Sequence, residues 1–348
     1  MNNVLVGMSG GVDSSVAAMF LQKQGFKVHG VTFLLWNYDN SVCSETAVRD
    51  AQSVCKKLSI DHISKDYSDE FKDEIVNNFI TEYLNARTPN PCVLCNRKIK
   101  FAKLFEIADD MGIEFVSTGH YVNIENIEGK WVIHEGSDPN KDQSYFLYVL
   151  KEEWLPRILF PLGKLTKPHV RKEAAANGLD RVKEKKDSLD ICFLSGSYKD
   201  FIKDIVGEKS GDVVILPENE VIGKHSGIYN YTIGQSRGLN IAYGEKLFVS
   251  AIDSKTNTVY VQTDGRLLSD SFKVKDMNLF SILENRGDEF FVKIRHYSPK
   301  HPCRVELDKE KREAKVFLHE PVRAITPGQS AVFYDERGIV CMGGIINL

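Results

Sequence analysis

Over the first two hundred residues, short apolar runs alternate with amphipathic segments. Val4–Val6 is a three-residue apolar core, and Val16, Met19, Phe20 and Leu21 then form one face of a helix. His29–Trp36 reads as a second strand, Thr46–Leu58 as a helix and Ile60–Ile63 as a third strand. Phe71, Ile75, Phe79, Ile80 and Tyr83 mark a long amphipathic helix. Another helix is predicted from Arg97 to Met111, then a strand at Glu114–Thr118. This βαβα order predicts an α/β fold, a doubly wound parallel sheet with helices on both faces. After Gly207 the texture changes to short alternating runs, among them Asp212–Leu216, Leu247–Ile252, Thr258–Gln262, Phe290–Ile294, Cys303–Leu307, Lys315–Leu318, Ala331–Tyr334 and Ile339–Met342. Turns at Asp253-Ser254 and Asp264-Gly265 separate some of them, and the spacing predicts a small all-β barrel or sandwich.

The first strand runs straight into Gly7-Met8-Ser9-Gly10-Gly11-Val12-Asp13-Ser14-Ser15. Glycine tolerates positive φ and lets an anion approach the backbone. The helix start supplies N–H donors and a favourable dipole, with Ser14 and Ser15 as further donors. That combination is a seat for pyrophosphate. It is neither a Walker loop nor a G-x-G-x-x-G turn. In parallel sheets ligands sit at the carboxyl ends of strands, where this loop and Gly119-His120 both fall.

Composition narrows the class. The chain has 348 residues, 42% hydrophobic and 27% charged, enough for two or three globular domains. No apolar run approaches the roughly 20 residues that span a bilayer, and no signal peptide is visible, so a cytoplasmic protein is expected. The net charge of −3 means that any RNA must be held by local basic patches. Lys183-Glu184-Lys185-Lys186-Asp187 reads as a solvated loop.

Seven scattered cysteines argue against a secreted disulfide framework. Cys43, Cys55, Cys303 and Cys341 read as small hydrophobes. Cys92 and Cys95 form a C-x-x-C in a proline-punctuated loop just before a helix, beside Arg97 and Lys98. Helix start and basic neighbours both favour a thiolate at Cys95. Cys192 ends a short apolar segment, Asp190-Ile191-Cys192-Phe193, and its residue context leaves a reactive and a buried role equally open.

The Ser-Gly-Gly-Val-Asp-Ser loop resembles the PP-loop of ATP pyrophosphatases. With Pro89-Asn90-Pro91, Cys95-Asn96, Ser117-Thr118-Gly119-His120-Tyr121, Lys141-Asp142-Gln143-Ser144-Tyr145, Asp190-Ile191-Cys192-Phe193, Tyr231 to Leu239 and Thr326-Pro327-Gly328-Gln329, the whole chain resembles the tRNA-specific 2-thiouridylases. The resemblance implies a PP-loop ATP-binding catalytic domain over 1–205, a central β-rich tRNA-contacting domain over 206–268 and a C-terminal β-barrel over 269–348. It implies ATP on Gly7, Met8, Ser9, Gly10, Gly11, Val12, Asp13 and Ser14, with the adenine side near Phe33 and Gly119. Mg²⁺ is expected with ATP, Asp13 being its second-shell contact. The wobble uridine of tRNA would be adenylated on O2. A persulfide on Cys192 would then supply sulfur to C2, and Cys95 would displace it with formation of a Cys95–Cys192 disulfide. A cysteine desulfurase or sulfur-relay protein is the implied persulfide donor. Arg97, Lys98, His120, Lys141, Asp142, Gln143, Arg295, His296 and Gln329 are the implied tRNA contacts, Lys100 and Lys103 adding charge beside them, and the base would be flipped from its stack.

In one place the chain departs from that pattern. Cys92 stands where such enzymes commonly carry aspartate, so Cys92, Cys95 and Cys192 could instead hold an iron–sulfur cluster with one open iron, delivering hydrosulfide. The persulfide reading is preferred and the cluster reading stays open. Two readings from other classes compete: a PP-loop ligase for a small molecule, which needs no thiols, and a non-catalytic tRNA-binding protein, which leaves the PP-loop unused.

Overall fold

The computed structural model describes residues 2–36, 38, 45–179, 191–194, 196–285 and 287–348. Cys43, the 183–187 charge run and Asp190 lie outside them.

Residues 2–206 build the expected parallel sheet. Its strands are β1 (Asn3–Gly7), β2 (Lys27–Leu34), β3 (Asp61–Asp66), β4 (Phe115–Ser117) and β7 (Ile158–Leu159), ordered β3-β2-β1-β4-β7 and all parallel. Val4, Leu5 and Val6 are wholly buried because helices cover both faces, which is why β1 reads as a continuous apolar run. The order reverses at β1, between β2 on one side and β4 on the other, making the crevice at their carboxyl ends a ligand site. Helices α1 (Val12–Lys23) and α2 (Glu45–Lys57) follow β1 and β2, and the helix Lys167–Ala176 packs against α1. A hairpin of β5 (Val122–Ile127) and β6 (Lys130–Glu135), not anticipated from the sequence, leads from β4 toward the barrel.

Two helices differ from expectation. The helix over 68–84 carries a π turn at Lys72–Val76. The one expected from Arg97 begins six residues earlier, at Pro91, with Asn90 as N-cap, and includes a π turn at Asn96–Lys100. Proline fits the first helical position because its missing N–H has no partner there anyway. The C-x-x-C therefore lies inside this helix instead of in a loop before it.

The helix Tyr198–Val206 ends at Gly207, and a four-stranded sheet of β8 (Gly211–Ile215), β9 (Glu220–His225), β10 (Phe248–Asp253) and β11 (Thr258–Gln262) follows in the order β10-β11-β8-β9. Six antiparallel strands then close a barrel: β12 (Leu268–Leu279), β15 (Glu313–Arg323), β14 (His301–Asp308), β13 (Glu289–Lys293), β16 (Ser330–Tyr334) and β17 (Val340–Asn347), in that spatial order. Inward positions alternate along β13 and β15, as a small filled barrel requires. Cys303 and Cys341 are buried barrel residues and Cys55 is buried on α2, as read from the sequence.

The barrel is bolted to the first domain. Tyr145 Oη donates to Ser330 O at 2.9 Å, and the Tyr148 and Ser144 hydroxyls meet Ser330 Oγ and Tyr334 Oη at 3.1 and 3.0 Å. The Thr326–Gln329 turn also grips Thr88: Thr88 N–H donates to Pro327 O at 2.8 Å, and Gln329 Nε2 donates to Thr88 O at 2.9 Å. Gly328 lies at φ +90°, where an added Cβ would fall 2.8 Å from Thr88 N. Gly328→Ala combines backbone strain with that clash, so thermal unfolding should show a loss of about 2 kcal/mol. An unchanged Tm would mean the turn gives way freely.

Candidate active site

β1 delivers Gly7 to the crevice. Met8 N–H donates to Val31 O at 2.7 Å and Thr32 Oγ1 donates to Met8 O at 2.6 Å, pinning the loop beside β2. Gly10 has φ +68°, and a Cβ there would lie 2.6 Å from Ala47 O, so the position requires glycine. Gly11 is the N-cap of α1 and has no side chain to cap with, so first-turn N–H groups face the loop. A Cβ on Gly11 would meet only Ser9 Oγ, at 3.4 Å. Ser14 Oγ accepts from Ser9 N–H at 3.2 Å, which closes the loop. Val12 is buried under it. Ser15 differs from expectation: its hydroxyl donates back to Gly11 O at 2.8 Å and is fully buried, so it is no donor to a ligand. Gly119, just past β4, abuts this turn so closely that a Cβ would lie 2.6 Å from Ser14 N. Phe33, near the carboxyl end of β2, packs edge-on to Tyr67 at 5.2 Å.

Asp13, in the first turn of α1, is held from two sides. Tyr121 Oη donates to its Oδ1 at 2.7 Å, and Lys167 Nζ donates to Oδ1 and Oδ2 at 2.8 and 2.7 Å. Sequence reading missed both partners. Tyr121 could have been found from its place two residues after Gly119, but Lys167 is 154 residues from Asp13 and carries no local signal.

The thiols come together. Cys95 is buried with Phe71, Phe79 and Phe193 in one apolar cluster, and Cys192 packs against it half-buried. Cys92, Cys95 and Cys192 are near enough for the charge of Cys192 to act on the other two. All six described cysteines are free thiols. The expected thiolate at Cys95 is not what this pocket favours. Burial pushes its thiol up to about 12, Cys192 and Cys92 add to the rise, and the Lys100 ammonium only partly opposes it. The physical reason is the earlier helix start: Cys95 ends the Pro91–Cys95 turn and lies inside, away from the N-terminal dipole. Burial raises Cys92 as well. Among the described residues no three His, Cys, Asp or Glu side chains are grouped so as to hold a metal ion.

The residues named as tRNA contacts divide. Arg97 and Lys98 are exposed, Lys98 Nζ lying 3.2 Å from Glu74, and Lys103 pairs with Glu106 at 3.0 Å. His120 is buried, hydrogen-bonded to Thr118 Oγ1 at 2.7 Å and stacked on Phe101, and desolvation pushes it down to about 3, so it is neutral. Asp142 is buried, accepting from Gly136 N–H at 2.9 Å and from the Ser144 hydroxyl at 2.8 Å. Gln143 Oε1 accepts from Tyr121 N–H at 2.9 Å, and Lys141 N–H donates to Asp138 O at 2.9 Å. Arg295 Nη2 donates to Ala324 O at 2.8 Å, while His296 packs 4.4 Å from Phe146 with burial lowering it to about 4. Gln329 grips Thr88, as described. Of the named residues only Arg97 and Lys98 are exposed; His296 is half-buried, and its neighbour Tyr297, not among them, is 87% exposed.

Three families match in succession: the tRNA methyl transferase HUP domain over residues 2–196, the tRNA methyl transferase PRC-barrel domain over 199–263 and the aminomethyltransferase beta-barrel domain over 269–346. A tRNA-specific 2-thiouridylase MnmA of Salinibacter ruber is 40% identical over 359 residues, which cover 98% of this chain and 94% of that protein. One from Rickettsia peacockii is 42% identical over 355 residues, covering 99% and 96%. Among solved structures, a 4-thiouridine synthetase–RNA complex with bound ATP aligns over 59% of this chain and 50% of its own, at 17% identity and a TM-score of 0.39, too slight a likeness to argue from. With a PP-loop at the carboxyl end of β1, Cys95 and Cys192 packed in one apolar cluster, and relatives alike from end to end, the chain belongs to the tRNA-specific 2-thiouridylase family.

Proposed function

We propose that this chain uses ATP to replace O2 of the wobble uridine of tRNA with sulfur, yielding 2-thiouridine. The observation that carries the reading is the packing of Cys95 and Cys192, 97 positions apart in sequence (192 − 95), in one apolar cluster that also takes in Phe33 and Leu35 at the carboxyl end of β2. Methyl transfer, which two of the family names suggest, has no use for that pair. Neither has a small-molecule ligase.

ATP would sit on Gly7 to Ser14, its phosphates against the first-turn N–H groups and its adenine side between Phe33 and Gly119. Mg²⁺ would bind chiefly through the phosphates, because both Asp13 oxygens are engaged by Lys167; it would offset phosphate charge. Uridine O2 attacks the α-phosphorus and pyrophosphate departs, so O2 now leaves C2 as AMP. The donor protein leaves a persulfide on Cys192. Cys95 sulfur bonds to Cys192 Sγ, the S–S bond of the persulfide breaks, and the outer sulfur departs as hydrosulfide to attack C2. The disulfide left behind is returned to two thiols by an external dithiol. Arg97, Lys98, His296 and the basic residues beside them are proposed to meet the anticodon arm, whereas His120, Asp142 and Gln143 act by holding the site's shape. We place the work in the cytoplasm, where such reductants and tRNA occur. The iron–sulfur alternative would take Cys92, Cys95 and Cys192 as its three ligands.

Three measurements test this. In Gly11→Val the added side chain points toward open space, so the fold should persist while ATP binding falls; retained ATP affinity would remove the loop from the site. For the thiols, 2-thiouridine should vanish in Cys95→Ser and in Cys192→Ser, yet stay substantial in Cys92→Ser, assayed anaerobically with iron supplied. An inactive Cys92→Ser from a brown wild type would support the cluster instead. Last, a thiol raised to about 12 is protonated at neutral pH, and its thiolate rises tenfold per pH unit below that value. Alkylation of Cys95, followed by peptide mass spectrometry, should be slow at pH 7 and still climbing at pH 10. A plateau near pH 7 would mean that the thiolate forms readily after all.

A further inference from the structure

The phosphate seat has no cation of its own. From Val4 to Ser15 the only charged side chain is Asp13, which is negative. A triphosphate brings several negative charges, and the departing pyrophosphate concentrates them. First-turn N–H groups and the helix dipole offset only part of that, the dipole being equivalent to roughly half a charge. A carboxylate in the same turn makes matters worse unless it is neutralised.

Lys167 is placed to supply the missing charge. Its side chain is only 9% exposed, yet its Nζ emerges on Asp13, within 2.8 Å of both carboxylate oxygens. Thr166 is the N-cap of its helix, and the Lys167 N–H donates to Asp138 Oδ2 at 2.9 Å, so the backbone is fixed. The stem passes the Tyr121 ring, with Nζ 5.8 Å from the centroid. The helix Lys167–Ala176 packs on α1, whose first turn carries the phosphate seat. Burying a lysine stem this way is costly in side-chain freedom, and a surface lysine would screen Asp13 nearly as well.

We propose that Lys167 is the phosphate-binding cation of this site, doing from a distant helix what the lysine of a Walker loop does locally. Its ammonium contacts the polyphosphate while Asp13, steadied by the Tyr121 hydroxyl, orients it. The inference rests on the nucleotide reading given above. It makes a demand that a merely structural ion pair does not: Lys167 must matter for the phosphates beyond the first, and hardly at all for the nucleoside.

The test is equilibrium titration of the full chain with ATP and, separately, with AMP. Wild type should prefer ATP. In Lys167→Met, ATP affinity should fall about tenfold or more, the worth of a charge-assisted contact, while AMP affinity changes little. Lys167→Arg should keep most of the ATP preference. Because Lys167→Met leaves Asp13 without its cation, the double variant Asp13→Asn with Lys167→Met removes that burden and should show the same collapse of the ATP-to-AMP ratio. Equal losses for ATP and AMP in both variants, or an ATP preference that survives in the double variant, overturns the proposal and leaves the nucleotide site standing. A wild type that does not prefer ATP overturns the site itself, and needs no variant to show it.

Discussion

Thr88 opens a segment that cannot hold itself in place. Pro89 and Pro91 have no N–H to give, so Thr88-Pro89-Asn90-Pro91 has few backbone donors to tie it to its surroundings. The remedy comes from outside. The barrel accepts the Thr88 N–H on Pro327 and returns a donor from Gln329, while Thr232, from the segment before β10, meets the Thr88 hydroxyl at 3.3 Å. All three parts of the chain therefore converge on the residue that precedes the thiol helix. Pro91 starts that helix directly afterwards, so the place of Cys92 and Cys95 is fixed by contacts made 144 to 241 residues away in sequence. On this view the barrel and the central sheet are scaffold for the thiols.

Burial explains why the Cys95 thiol keeps its proton. A thiolate among Phe71, Phe79 and Phe193 would lack the solvation that water provides, so the proton stays on at neutral pH. A neutral thiol attacks stray electrophiles slowly, which protects Cys95 between turnovers. Lys100 follows one π turn after Cys95 and opposes the rise. A π turn is an uncommon, strained insertion often found at functional sites, and here it sets a cation beside a buried thiol. Persulfide sulfur on Cys192 would bring the electrophile to a thiol already in contact range, so little need remains for a permanently ionised Cys95.

The parallel sheet, the succession of its first four strands along the chain and the β-rich C-terminal part were legible because periodicity and burial agree there: Val4–Val6 are apolar and buried, and β13 and β15 alternate. The PP-loop was legible from its glycines. The helix over 91–110 was misread at its start because C-x-x-C after two prolines looks like a loop, whereas proline at the first helical position is a start signal. The ionisation of Cys95 was misjudged for the same reason, since basic neighbours are visible in sequence and desolvation is not. His120, Asp142 and Gln329 turn inward; the first two meet hydroxyls only two residues away, Thr118 and Ser144, whereas Gln329 meets Thr88 across 241 residues, which no spacing rule could have named. Lys167 shows the limit most clearly, because its meaning lies wholly in a contact across 154 residues.

The segment after β4 joins the two halves of the chemistry. Consecutive residues in extended chain point to opposite sides, and three in a row here do different work. Gly119 lets the segment touch the first turn of α1. His120 goes the other way, stacking on Phe101 of the thiol helix and feeling the Lys100 charge. Tyr121 returns to the nucleotide side and holds Asp13. Gln143 ties the segment down by exchanging two hydrogen bonds with Tyr121, one through its side chain and one through its backbone N–H. A displacement of this short stretch would carry the phosphate seat and the thiol helix together. In the proposed reaction, the base to be activated and the sulfur that replaces its oxygen would be kept in register by this one piece of backbone, with neutral His120 as its filler on the thiol side.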